Sequence, residues 1–123
     1  PDKPIYHAAC SMASNFLATL LDSAAEVLSQ TGLSKSAASQ VLFPLVKGTL
    51  QNVNKFDAGT ALTGPIARGD KKTIVKHLEA LHKHPGLHDL YTTLASRTFQ
   101  IAKREKKLTE EKIKALEALL GDK

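Results

Sequence analysis

Residues 4–30 read PIYHAACSMASNFLATLLDSAAEVLSQ, and this stretch decides the fold class. Ile5, Ala9, Met12, Phe16, Leu20, Ala24 and Val27 recur at helical spacing, and Ala13, Leu17, Leu21 and Leu28 widen the apolar stripe. No Gly or Pro interrupts it after Pro4. Thr31-Gly32 stops it, the glycine being suited to the left-handed position that follows a helix. A helix of about seven turns at ~3.6 residues each, apolar on nearly two sides, predicts a central element contacted from several directions.

Four further helical segments follow from it. The second starts at Ser34 or Ser36 and carries Ala37, Ala38, Val41, Leu42, Leu45, Val46, Leu50 and Val53. Pro44 inside this pattern predicts a kink or break near Leu42–Phe43, because proline removes a backbone donor and crowds the preceding turn. Residues 55–69 lack periodicity and are punctuated by Gly59, Gly64, Pro65 and Gly69; a connection of that length is usually functional or disordered. Leu62, Pro65 and Ile66 give it something to bury. Asp70 is an N-cap for the third helix, whose apolar face is Ile74, Val75, Leu78 and Leu81. His84-Pro85-Gly86 ends that helix. The fourth presents Leu87, Leu90, Tyr91, Leu94, Thr98 and Ile101. The fifth starts at the N-cap Thr109, with Glu110 and Glu111 at the positive end of the helix dipole, buries Ile113, Leu116, Leu119 and Leu120, and stops at Gly121. No alternating strand-length segment competes, so the fold class is all-α: about five helices around a long central first helix.

Composition narrows the function. At 123 residues the chain fits one domain and is too short for two ordinary ones. Only 5% of residues are aromatic, so the core must come from Leu, Ala, Ile and Val, which favours packed helices. A net charge of +5 is weak support for nucleic-acid binding, since the densest basic stretch, Lys103-Arg104-Glu105-Lys106-Lys107, contains an acid and leads into a helix cap. The lone Cys10 forms no internal disulfide, which points to a reducing, cytoplasmic setting. On an Ala-rich helix face Cys10 reads as a small buried hydrophobe. No apolar run is long enough to span a membrane.

Several chemistries fail on spacing. The chain has no G-x-G-x-x-G and no Walker loop, and no strand–turn–helix to hold either, so it builds no dinucleotide site of the usual type by itself. His77 and His82 are five apart, which sets them ~140° apart around a helix, and no H-E-x-x-H is present; surface or helix-end histidines, with no metal, are the expectation. Two features remain. His7, Ser11, Ser14 and Asn15 fall in a strip ~100° wide on the first helix. The strip faces solvent, bonds within itself, or lines a polar cleft; histidine exchanges a proton near neutrality, and Ser and Asn can donate to a substrate oxygen. The loop Ala61–Asp70 contains glycines that permit tight turning and Arg68, whose planar fork suits a carboxylate or phosphate. The structural alternative is that Asp70 only caps and Arg68 only pairs with Asp70 or a helix C-terminus. Arg68-Gly69-Asp70 also spells an integrin-type tripeptide, which the capping role explains better.

Tyr6-His7-Ala8-Ala9, Ala13-Ser14-Asn15, Pro44-Leu45, Asn52, the loop Ala61–Asp70, His77 and Tyr91, in that order and spacing, carry a family resemblance. The chain resembles the helical C-terminal domain, of unassigned function, that follows a Rossmann-like domain in proteins assigned as NADP oxidoreductases. It is similar to the C-terminal domains of 6-phosphogluconate dehydrogenase and its relatives, including the deazaflavin-dependent NADP oxidoreductases and pyrroline-5-carboxylate reductase. The likeness spans about Pro4 to Thr98, with the loop its most specific part.

The resemblance implies that residues 1–123 form a single 6-phosphogluconate dehydrogenase C-terminal-like domain that dimerises, its N-terminal Rossmann domain lying outside this chain. It implies that the first helix borders a cleft facing the nicotinamide of NADP or NAD, with no cofactor held by this chain alone. The substrate would be a small carbonyl, hydroxyl or imine compound. Asn15 matches an asparagine that β-hydroxyacid dehydrogenases place four residues after a catalytic lysine; here that earlier position is Ser11, so the lysine is absent. The resemblance leaves His7 as the proton relay, with Ser14 and Asn15 orienting substrate, Arg68 holding an anionic group, and Ser11, Thr63 and Gly64 facing substrate or cofactor. The isolated chain would be catalytically inert. The alternatives are a non-enzymatic helical protein-interaction module and, last, a weak nucleic-acid binder using the basic tail.

Overall fold

A computed structural model describes residues 2–121. Its eight helical segments are α1 Lys3–Ala13, α2 Asn15–Ser29, α3 Lys35–Phe56, α4 Ala58–Ala61, α5 Pro65–Arg68, α6 Lys71–Ala80, α7 Pro85–Arg104 and α8 Glu110–Leu120. No strand occurs among the described residues. The all-α expectation holds. The helix count exceeds five because the first long helix is divided at Ser14 and the loop before α6 folds into two single turns. The chain divides into two compact units, residues 1–48 and 49–123, with the boundary inside α3.

Unit 1 holds α1, α2 and the first part of α3. Helical bonding continues through the division at Ser14: its N–H donates to the Cys10 carbonyl (3.0 Å) and its carbonyl accepts from Ala18 (3.1 Å). Gly32 adopts φ 104°, as a residue ending the helix on the left-handed side should. Ser34 is the cap of α3, its Oγ accepting from the Ala37 N–H at 3.1 Å. Lys35 Nζ reaches Asp22 Oδ1 at 2.7 Å, a solvent-exposed pair that salt would screen. Its hydrogen bond to Asp22 is the main cause that raises the Lys35 pKa.

The expected central helix is not central. α1 buries no residue and α2 buries only Ala25; with Ala38 of α3 these are the buried residues of the unit. Ile5, Met12, Phe16, Leu20 and Val27 are all exposed. Periodicity identifies an apolar face but not what covers it. Cys10 is exposed for the same reason, against the expectation of burial. The break at Pro44 does not occur either. α3 is continuous from Lys35 to Phe56. Gln40, Phe43 and Pro44 are exposed, so the Gln40 carbonyl that lacks its N–H partner is open to water.

Unit 2 has a core of its own. Ile66, Ile74, Ala95, Phe99, Leu116 and Leu120 form it, with Leu78, Tyr91, Leu108, Ile113 and Leu119 packed around them. α5, α6 and α8 each pack on α7. α7 buries Ala95, Ser96, Phe99 and Ala102, not the expected Leu90–Leu94–Ile101 face; Leu94 is exposed. The buried face is rotated by about one residue, or ~100°, because Ala95 and Ala102 are small and suited to close approach by neighbouring helices. The caps match expectation. Asp70 accepts from the Thr73 N–H at 3.2 Å, Thr109 from the Lys112 N–H at 3.3 Å, and Gly121 stops α8 at φ 68°. Pro85 opens α7.

Candidate functional site

The strip on the long helix lies in unit 1. His7 and Ser11 sit on α1, Ser14 lies between α1 and α2, and Asn15 opens α2. Ser11 is half-buried and the other three are exposed. Their side chains make no hydrogen bonds to one another; the Asn15 carbonyl accepts from Thr19 Oγ1 at 3.1 Å, which leaves its amide available. Counted at ~100° per residue, these four lie roughly 180–280° around the helix from Ile5, while Ile5, Ala9, Met12, Phe16, Leu20 and Val27 fall within about 80° of one another. The long helix is therefore polar on one side and apolar on the opposite side, with both sides open.

The loop Ala61–Asp70 lies in unit 2. Its apolar residues do what burial requires: Ile66 and Ala67 are buried, leaving Thr63 and Arg68 outward. Gly64 precedes α5 at φ 97° and Gly69 follows it at φ 68°, so two left-handed positions bracket a single helical turn. Arg68 approaches Asp70 Oδ2 at 3.9 Å. Asp70 also accepts from Thr73 Oγ1 at 2.7 Å. The Thr73 side-chain hydrogen bond, followed by that from the Thr73 N–H, lowers the Asp70 pKa, with Arg68 and Lys72 adding to the effect. Arg-Gly-Asp here is thus a helix end followed by a helix cap.

Residues 105–112 pack against α4 and against Gly69 at the end of α5. Gly59 is buried, and a Cβ there would stand 2.8 Å from the Glu105 carboxyl; at Gly69 a Cβ would fall within 3 Å of the Lys112 side chain. Lys107 Nζ donates to the Thr60 carbonyl at 3.4 Å, and Lys103 Nζ lies 4.5 Å from the Phe99 ring centroid. Much of the basic run is used in packing and bonding within the unit.

One pair was not singled out as a site from the sequence. His77 Nδ1 and the Tyr91 hydroxyl are 2.9 Å apart, their rings edge to face at 5.7 Å. Burial raises the Tyr91 pKa. The two residues are fourteen apart and meet only because α6 packs on α7, so local spacing carries no sign of them. Beyond this pair, an open hollow of about 380 Å³ is lined by Leu78, Glu79, His82 and His88. No group of three or more His, Cys, Asp or Glu is placed to hold a metal ion among the described residues.

A dinucleotide finds no fit in these residues. The loop's helices are single turns, and the polar strip offers no cationic side chain. No chemical step is assigned through such a cofactor on this chain. No helix of the described residues is long and apolar enough to cross a membrane. No curated protein and no solved structure matches the chain. The model of the family described as Domain of unknown function (DUF2520) matches residues 1–98, and the chain belongs to that family.

Proposed function

We propose that this chain is the dimerisation and cleft-lining domain of a cytoplasmic NAD(P)-dependent oxidoreductase whose cofactor is held by a separate Rossmann domain. The observation that carries the reading is the two-sided long helix: a polar strip with free donors and acceptors on one side, an open apolar stripe on the other. The apolar stripe supplies a surface for a second copy. The polar strip supplies a wall for a substrate cleft, with His7 able to take or give a proton near neutrality and Ser11, Ser14 and Asn15 able to hold a substrate oxygen. Separately, on unit 2, the exposed Arg68 with Thr63 and Gly64 in its loop suits an anionic group of a ligand. The 6-phosphogluconate dehydrogenase C-terminal-like fold belongs to the same proposal and rests on the motif resemblance.

The gene sequence upstream of Pro1 tests this. A strand, a glycine-rich turn and a helix are expected there, and a start at Pro1 overturns the reading. A second test is NADPH turnover. The chain alone should oxidise none, and the protein with its Rossmann domain should lose activity on His7→Ala or Asn15→Ala. The second reading, a non-enzymatic helical interaction module, is favoured by the same exposed apolar stripe and gains if the polar-strip variants leave activity unchanged.

A further inference from the structure

We propose that a second copy of this chain packs antiparallel along the apolar stripe of α1 and α2, with the two-fold axis at Phe16. This rests on the dimerisation reading and adds where the second copy sits and in which register. The stripe is symmetric about Phe16: Ile5 and Val27 stand eleven residues to either side of it, and Met12 and Leu20 four to either side. An antiparallel two-fold pairing therefore sets Ile5 against Val27 of the partner subunit, Met12 against Leu20 of the partner subunit, and Phe16 against Phe16 of the partner subunit. The Ile5–Val27 and Met12–Leu20 contacts are each made twice and the Phe16 contact once, on the axis, as an isologous interface demands. Helical bonding runs from α1 through Ser14 into α2, which links the two halves of the stripe.

Area supports a second copy. Ile5 is 73% exposed, Met12 63% and Phe16 60%, and Leu20, Val27 and the adjacent Tyr6 are open as well. At roughly 200 Å² for a fully exposed large side chain, scaled by these exposures, the six offer on the order of 700 Å². An ordinary specific interface takes about 800 Å² from each partner. The largest apolar patch of a typical monomer is about 300–600 Å².

Charge selects among occupants. Residues 4–21 contain no Lys, Arg, Asp or Glu, and residues 1–48 carry three basic and three acidic side chains, a net charge of zero. Two copies can meet there without like-charge repulsion or the desolvation of unpaired ions. A strongly charged partner would find no complement. A lipid surface would call for basic residues on the helix's polar face, and that face carries none from residue 4 to residue 21.

Sedimentation across a concentration series, combined with cysteine cross-linking, tests the inference. In a Cys10→Ser background, Phe16→Cys should oxidise to a covalent dimer, and Met12→Cys with Leu20→Cys should cross-link between copies. Leu45→Cys, exposed but on α3, should not. Phe16→Glu, with helicity checked by circular dichroism, should weaken association at least about tenfold, and Leu45→Glu should leave it unchanged. A monomer at tens of micromolar removes dimerisation altogether. A dimer that persists in Phe16→Glu, or that cross-links through position 45 and not 16, keeps dimerisation and overturns this seat and register.

Discussion

The two units of this chain use apolar residues in opposite ways. Unit 2 places Phe99, Ile74, Leu116 and Leu120 out of water within its own helices and carries all of the excess positive charge. Unit 1 has no net charge, buries two alanines, and leaves Ile5, Met12 and Phe16 open. Both were built from helices of similar amphipathicity. The contrast separates two questions that a hydrophobic pattern merges: which residues seek burial, and whether the chain buries them itself. A half of zero net charge that leaves its apolar side chains exposed, joined in one chain to a half that buries its own, is what the proposed interface would need.

The sharpest way to break the contrast is to remove the same side chain from each half. Phe99→Ala empties a fully buried site and should cost about 3–5 kcal/mol, lowering the denaturation midpoint of unit 2. Phe16→Ala, measured by the same denaturation at nanomolar concentration where association is absent, should cost within about 0.5 kcal/mol. Equal losses would mean that unit 1 has a hidden core. Next in size is Gly69→Ala. It forces an alanine into the left-handed region for about 1–2 kcal/mol and adds a clash with Lys112, so the loss should appear as a lower thermal midpoint. Thr109→Ala removes the cap of α8 and should cost about 1 kcal/mol by the same measurement; a null result would mean that α8 is held by Leu116 and Leu120 alone.

The smallest effect is set by pH. The Asp70 pKa is lowered in the folded chain from an ordinary 3.8. The stability it contributes is therefore present above the unfolded value and is lost as pH falls through the lower folded value. The Thr73 amide resonance should shift, and its exchange protection fall, in that acidic window and not between pH 5 and 8. Asp70→Asn should remove the acid step.

Much of unit 2 was legible because its signals are local. Asp70, Thr109, Pro85 and Gly121 each fix a helix end by a bond or a dihedral angle belonging to that residue and its near neighbours. The buried face of α7 was misjudged because Ala95 and Ala102 weigh little on any hydrophobic scale, while their small size is what makes them suited to a close helix contact. The division at Ser14 had no Gly or Pro to announce it. For the site, the polar strip and the loop could be assembled from helical angles and glycine spacing. The His77–Tyr91 pair could not, since it depends on how α6 meets α7. The exposure of the α1–α2 stripe was invisible in principle: one sequence states the demand for burial without naming what meets it.

The burial of Leu116 and Leu120 on α8 also sets an order of events during synthesis. Both lie beyond the span matched by the family, yet unit 2 cannot close its core until they have left the ribosome. The residues of unit 1 emerge first, and the residues from 49 to 123 take roughly 4–15 seconds to follow at about 5–20 residues per second. During that interval the exposed apolar stripe of unit 1 is already outside the ribosome while unit 2 is still unfinished. If two copies pair as proposed, the same helix on a neighbouring nascent chain is a surface it can meet before unit 2 is complete.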